Sequence, residues 1–178
     1  GPPGQTFTTP GSGYFALSNI WLKGAGNTGN VIGVDTTTWA IRVSEVSGST
    51  LLPLKAVTGI ATLPTGTAAN SWIKFNFSGG DTVSLSGSTT YAFEVYTTAG
   101  WYGIDAANTD ANYTGGTAFN SNNTGNARSF SSNSMGNPAL FGYDRTFVVA
   151  LSPRPAPGDA NGDGNVTIAD YNLIKMNL

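Results

Sequence analysis

The sequence contains no cysteine and no histidine, and only 10% of its 178 residues are charged. These absences exclude disulfides, thiol nucleophiles, zinc sites built from thiolate or imidazole, and triads with a histidine base. The formal net charge is -2 and there is no basic run, so the electrostatic footprint of a nucleic-acid-binding protein is missing. No apolar stretch approaches the roughly 18–20 residues needed to cross a bilayer. We therefore expect neither nucleic-acid nor membrane binding.

The residues that are abundant are Gly, Ser, Thr and Asn, while Lys and Glu are scarce. Helices favour Ala, Leu, Glu and Lys, whereas strands and turns favour Thr, Val, aromatic residues, Gly and Asn. The composition is therefore typical of an all-β extracellular protein.

Short runs in which apolar and polar side chains alternate recur along the chain, as expected of antiparallel strands with one buried face. The runs are 38–46, 71–77, 89–96 and 145–151, with further candidates at 5–9, 14–24, 51–59 and 81–85. About eight short strands, with no helical period before residue 155, predict an all-β, jelly-roll-like antiparallel β-sandwich. We expect Trp21, Trp39 and Trp72 to pack in its core or between its strands, because large aromatic side chains dominate cores.

The pattern divides the chain into four segments. Residues 1–4 read GPPG and are interpreted as a tag remnant or linker. Residues 5–151 form the β-sandwich module. Residues 152–158 carry three prolines, which predicts a stiff linker, and 159–178 form a separate tail.

The tail has the spacing of a calcium-binding loop, DANGDGNVTIAD over 159–170. Gly164 holds position 6, where the turn needs a residue without a Cβ atom. Positions 1, 3, 5, 7 and 12 are held by Asp159, Asn161, Asp163, Asn165 and Asp170. The match to the D-x-[DN]-x-[DN]-G-x5-E pattern differs only in its final Asp, and Asn165 would contribute its backbone carbonyl. The loop predicts Ca²⁺ as the cofactor; an acidic connector turn is the alternative.

A helix is expected directly after the loop. Thr167 can cap it, and Asp170 three residues later completes a capping box. Apolar residues then recur at roughly helical spacing, at Ile168, Tyr171, Ile174 and Leu178. This stripe must pack on the sandwich or on another chain, or else stay mobile.

Residues 158–178 resemble one repeat of a type I dockerin, a module in which a calcium loop and one helix occur twice. The resemblance implies that the five loop residues above are calcium ligands. It also places Ile168 and Ala169 at the two positions that commonly contact a cohesin, and so implies a cohesin-like or neighbouring-domain partner for the helix. The second repeat is missing here; either the natural protein continues past Leu178 or the half-module is a calcium-stabilised tail.

The first 151 residues look like β-sandwich modules of secreted bacterial proteins that degrade polysaccharides. The stretches that carry this resemblance are SGYFALSNIWLKG (12–24), TTYAFEVYTTAGW (89–101) and YDRTFVVAL (143–151). It implies a secreted or cell-surface location and a carbohydrate-binding or accessory role.

The long polar segment 99–144 is rich in aromatic residues, which predicts ordered loops over one face or end of the sandwich. Sugar rings stack on exposed aromatic side chains, and their hydroxyl groups need polar partners. The resulting ligand-binding candidates are Trp101, Tyr102, Asp105, Asn112, Tyr113, Tyr143, Asp144 and Arg145. Asp144 and Arg145 could equally form a structural ion pair. A second calcium near Asp105 and Asp110 is possible, although no spacing supports it.

These observations favour non-catalytic polysaccharide binding. A glycosidase needs two carboxylates at a fixed separation, and no such pair stands out among Glu45, Glu94 and the aspartates. A structural or adhesive spacer of a cell-surface protein is the alternative, followed by a glycoside-active enzyme.

Overall fold

The computed structural model describes residues 1–25, 36–100, 102–107, 113–121, 128–136, 143–161 and 165–176. Within them the chain forms antiparallel strands and one short C-terminal α-helix, which confirms the all-β prediction. The strands are β1 (Pro3–Thr8), β2 (Tyr14–Lys23), β3 (Thr37–Ser47), β4 (Thr50–Leu63), β5 (Trp72–Asn76), β6 (Val83–Ser86), β7 (Thr90–Ala99), β8 (Ala106–Ala107), β9 (Ala118–Asn120), β10 (Asp144–Arg145) and β11 (Phe147–Arg154).

Two sheets enclose the main core. The front sheet has the order β4-β3-β7-β1-β9, and the back sheet has the order β11-β2-β5, with β6 also paired to β2. The short strands β8 and β10 pair with each other. The core contains side chains from both sheets, among them Ile41 and Phe93 from the front and Ile20 and Phe75 from the back. Apolar side chains from the two sheets thus meet as in a β-sandwich.

All eight predicted strands are present. Strand β5 shows the alternation most clearly, because Ile73 and Phe75 are buried while Trp72, Lys74 and Asn76 are exposed. The predicted strand at 145–151 continues to Arg154, three residues into the proline-rich segment. Pro153 is tolerated there because β11 lies at the edge of the back sheet.

The outer face of the front sheet is covered by the segment 128–136. Beneath it Arg42 and Glu94 form an ion pair, with 2.6 Å between Nη2 and Oε2. The guanidinium group also donates to the carbonyls of Phe130 and Ser132 and to Asn133 Oδ1. Burial raises the pKa of Glu94 above its usual range, and the charge and hydrogen bond of Arg42 oppose that shift. Arg42, held by its ion pair with Glu94, therefore connects this segment to the sheet.

The C-terminal helix, α1, spans Ile168–Met176 as the capping pattern predicts. Thr167 Oγ1 accepts a hydrogen bond from Ala169 N, and Asp170 Oδ2 accepts one from Thr167 N at 2.7 Å. This reciprocal pair is a capping arrangement. Within the part of the chain that the structure describes, no helix is long and apolar enough to span a membrane.

Candidate binding sites and the tail loop

The outer surface of the back sheet carries an open apolar groove of about 330 Å³ lined by Trp21, Trp72 and Val148, here called the aromatic face. Trp21 pairs with Val148 on β11 and with Lys74 on β5, and Trp72 is the partner of Lys23. The two indoles therefore lie diagonally on adjacent strands, where Cα atoms are typically about 7–8 Å apart. Trp72 is 43% exposed, so it does not belong to the core, the first of the two predicted packing environments.

Polar side chains surround the aromatic face. Lys74 Nζ lies 5.0 Å from the centroid of the Trp21 ring, a cation–π contact. Asn76 projects from the same side of β5 and is exposed. Lys23 lies diagonal to Lys74, and its Nζ is 3.8 Å from Asp105 Oδ2. Exposed apolar rings and hydrogen-bonding groups thus share one surface.

A second cavity, of about 380 Å³, lies where β1 and β3 begin and β7 ends. Its aromatic walls come from Trp39, Tyr96, Tyr102 and Tyr143, and its lining includes Asn120, Arg128 and Arg145. We call it the arginine cavity. None of the described residues that line it is acidic.

Arg145 is 8% exposed, and burial lowers the pKa of its guanidinium group while Tyr143 opposes that shift. Its carbon Cζ lies 5.3 Å from the Tyr143 ring centroid, and Nη2 donates to Asn120 Oδ1 at 3.3 Å. Its Nε and the Nε1 of Trp39, which is 2% exposed, have no hydrogen-bond partner among the described residues. Two buried donors therefore belong to side chains that line one cavity.

Gln5 holds β10 in place beside this cavity. Its side chain is fully buried. Nε2 donates to Asp144 Oδ1, and Oε1 accepts from the backbone N–H of Arg145, both at 2.8 Å. Asp144 thus bonds to Gln5, and the described residues contain no ion pair between Asp144 and Arg145. Nothing in the local sequence around Gln5 marks this role, because its partners lie about 140 positions away.

The predicted sugar-binding residues fall into two groups. Tyr102, Tyr143 and Arg145 line the arginine cavity together. The others have different partners: the Tyr113 hydroxyl accepts from Thr8 N, Asp105 Oδ2 accepts from Thr146 Oγ1, and Asp144 bonds to Gln5. Even Tyr102 has a packing role, because its ring lies against Gly24 and its hydroxyl donates to Ala68 O. Trp101 and Asn112 lie outside the described residues.

The acidic residues at the two ends of the tail loop are buried. Asp159 is 7% exposed and Asp170 is 1% exposed, although most of the surrounding tail is open to solvent. Asp170 Oδ1 accepts from Asn161 N at 3.1 Å, which joins positions 3 and 12 of the loop. The hydrogen bond from the Thr167 backbone N–H is the main cause that lowers the pKa of Asp170, so this carboxyl is ionised at neutral pH.

The loop supplies oxygen donors of the kind that Ca²⁺ requires, because Asp159 and Asp170 place two carboxyl groups on a short turn. Asp163 lies outside the described residues, and those described contain no cluster of three or more His, Cys, Asp or Glu. Asn161 and Asn165 complete the predicted ligand set, but their amide side chains do not belong to these four residue types.

The helix exposes its apolar stripe. Ile168, Tyr171 and Ile174 are all exposed, as is Met176; Leu178 lies outside the described residues. Within the described residues, this stripe is therefore not packed on the sandwich.

No family model, curated protein or solved structure matches this chain. The fold is that of a β-sandwich-like all-β protein.

Proposed function

We propose that this chain is a non-catalytic polysaccharide-binding module of a secreted or cell-surface bacterial protein, built as a jelly-roll-like sandwich with a calcium-binding tail. The observation that supports binding is the aromatic face, where Trp72 is exposed beside Trp21 on paired strands of the back sheet. Exposed apolar side chains that are grouped on one surface mark interaction sites, whereas single exposed ones are normal.

The chemistry of the aromatic face suits a sugar chain. Pyranose rings offer apolar C–H faces that stack on indole, and Lys74 and Asn76 supply hydrogen bonds to the hydroxyl groups. Strands hold the backbone of these residues at fixed spacing, so no loop has to be ordered on binding. An extended polysaccharide can therefore lie along the sheet surface.

One observation supports the non-catalytic part of the proposal. Glu94 is paired with Arg42 beneath the segment 128–136 and is 1% exposed, so its carboxylate is not open to a substrate. A structural or adhesive spacer remains the second candidate, because the same sandwich would serve that role without the aromatic face.

Replacing Trp72 with alanine tests the aromatic face. We expect binding to insoluble polysaccharide, measured by depletion isotherms, to weaken at least about tenfold, as loss of a central aromatic anchor does at other binding surfaces. The fold should persist, because the side chain is 43% exposed.

Tyr14→Ala is the matched control. Like Trp72, Tyr14 is an exposed aromatic residue of the back sheet. It lies at the start of β2, opposite Arg154 and away from the aromatic face. The control should bind like the parent. Equal affinities for Trp72→Ala and the parent, or no binding of the parent to any polysaccharide, would support the spacer.

The tail is proposed to bind Ca²⁺ through Asp159, Asn161, Asp163, Asn165 and Asp170. The oxygens of these residues would hold the ion, and its positive charge would offset the repulsion between their carboxylates. The apolar stripe of α1 is proposed to contact a cohesin-like protein or a neighbouring domain.

Asp159→Ala tests the loop. Titration of the parent with Ca²⁺ in a calorimeter should give a binding heat, and this substitution should abolish it, because it removes the carboxylate at the first loop position. Asp81→Ala is the matched control, since Asp81 is paired with Lys55 elsewhere on the molecule. An Asp159→Ala titration indistinguishable from the parent's would refute the site.

A further inference from the structure

The arginine cavity differs from the aromatic face in chemistry and place. Its volume of about 380 Å³ falls within the range of small-molecule sites, roughly 300–1,000 Å³. Aromatic rings make up much of its wall, and the charged side chains among its described lining residues are Arg128 and Arg145. It would therefore favour a ring-shaped ligand that carries negative charge.

The burial of Arg145 strengthens this argument. A buried cation is costly unless it is paired and hydrogen-bonded. Among the described residues no carboxylate lies within ion-pair distance of Arg145, and its Nε has no acceptor. The guanidinium group keeps its proton in proteins, so it presents a fixed charge with an unused donor.

Trp39 adds a second unused donor. Buried indole N–H groups usually find an acceptor, yet Trp39 Nε1 has none among the described residues. Gln5 and Asn120 meanwhile hold the backbone and one terminal nitrogen of Arg145. The side chains that line the cavity thus include a positioned cation, an indole whose N–H has no partner among the described residues, and several aromatic rings.

We propose that the arginine cavity binds a sugar carboxylate, that is, a uronate residue, with Arg145 and Trp39 as its hydrogen-bond donors. The carboxylate accepts from the guanidinium group and the indole, and the sugar ring lies against Tyr96, Tyr102 or Tyr143. This deepens the proposed polysaccharide binding by naming an acidic sugar, but the site itself is separate from the aromatic face.

The test titrates the ¹⁵N-labelled parent with galacturonate and, as a neutral match, galactose. The Trp39 indole resonance is assigned by Trp→Phe substitutions at positions 21, 72 and 101. Galacturonate should move this resonance saturably and bind at least about tenfold more tightly than galactose, the usual scale of a charge-assisted hydrogen bond. A Trp39 resonance that does not move, or equal binding of the two sugars, would overturn the proposal.

Variants locate the site. Arg145→Gln should weaken galacturonate binding at least about tenfold. Arg154→Gln, at an exposed arginine of β11, should leave it unchanged. Unchanged affinity in Arg145→Gln would refute the role of Arg145; should that variant not fold, the parent titration decides alone.

Two further arms separate the alternatives. Acetate should produce little shift, and a response equal to that of galacturonate would refute the sugar specificity. Trp72→Ala should bind galacturonate like the parent, whether or not the aromatic face binds polysaccharide. Loss of galacturonate binding in that folded variant would overturn the claim of a separate site.

Discussion

Arg42→Met is expected to lower the free energy of unfolding by about 3–5 kcal/mol, the usual cost of removing one partner of a buried ion pair. Arg42 and Glu94 are 3% and 1% exposed, so solvent cannot replace the lost charge. The segment 128–136 would also lose its hydrogen bonds to the guanidinium group. Urea denaturation should report the loss, and trypsin should cleave after Arg128 sooner than in the parent.

Two companion variants make this prediction sharp. Arg42→Met with Glu94→Leu should recover much of the loss, because replacing both charges with apolar groups removes the uncompensated carboxylate. Lys55→Met breaks the more exposed pair with Asp81 and should cost no more than about 1 kcal/mol. Equal unfolding midpoints for Arg42→Met and the parent would contradict the structure.

Gln5→Leu is expected to lower the free energy of unfolding by about 2–6 kcal/mol. It leaves the Asp144 carboxylate and the Arg145 N–H without their partner, and each buried unsatisfied group costs roughly 1–3 kcal/mol, or more when charged. Thermal unfolding followed by circular dichroism measures the change. A loss below 1 kcal/mol would show that these hydrogen bonds contribute little.

Gln5→Glu separates hydrogen bonding from packing. The substitution keeps the shape of the side chain but places a second carboxyl group beside Asp144. In the parent, Gln5 Nε2 lies 2.8 Å from Asp144 Oδ1. Repulsion should raise one folded-state pKa above its unfolded value of about 4. Stability should therefore be best below that value and decline as the pH rises through the raised pKa. Gln5→Leu should lack this additional pH dependence.

The strands could be predicted because each one repeats a local pattern. In β5 the alternation placed Trp72 on the solvent side, whereas the weight given to aromatic size placed it in the core; the alternation was correct. In β7 both faces are buried at Phe93 and Glu94, because a segment some forty residues later covers the outer side. Local periodicity carries no information about that cover.

The sites were less predictable than the strands. The capping of α1 by Thr167 and Asp170 was predicted because both partners lie within three residues. The arginine cavity instead assembles Trp39, Tyr96 and Arg145 from three strands that are far apart in the sequence. The aromatic content of 99–144 indicated Tyr102 and Tyr143, but only folding shows that Trp39 joins them. Calcium and sugar binding remain predictions.

The course of β11 has a mechanical consequence. Val148 borders the aromatic face, and the strand runs six residues onward to Arg154, roughly 20 Å, before the chain continues into the tail. If the proposed polysaccharide and the proposed tail partner were both bound, a pull between them would act along this strand. The eight residue pairs between β11 and β2 would then bear the force together in shear, and they would not separate one pair at a time. The edge strand is thus placed to act as a tether.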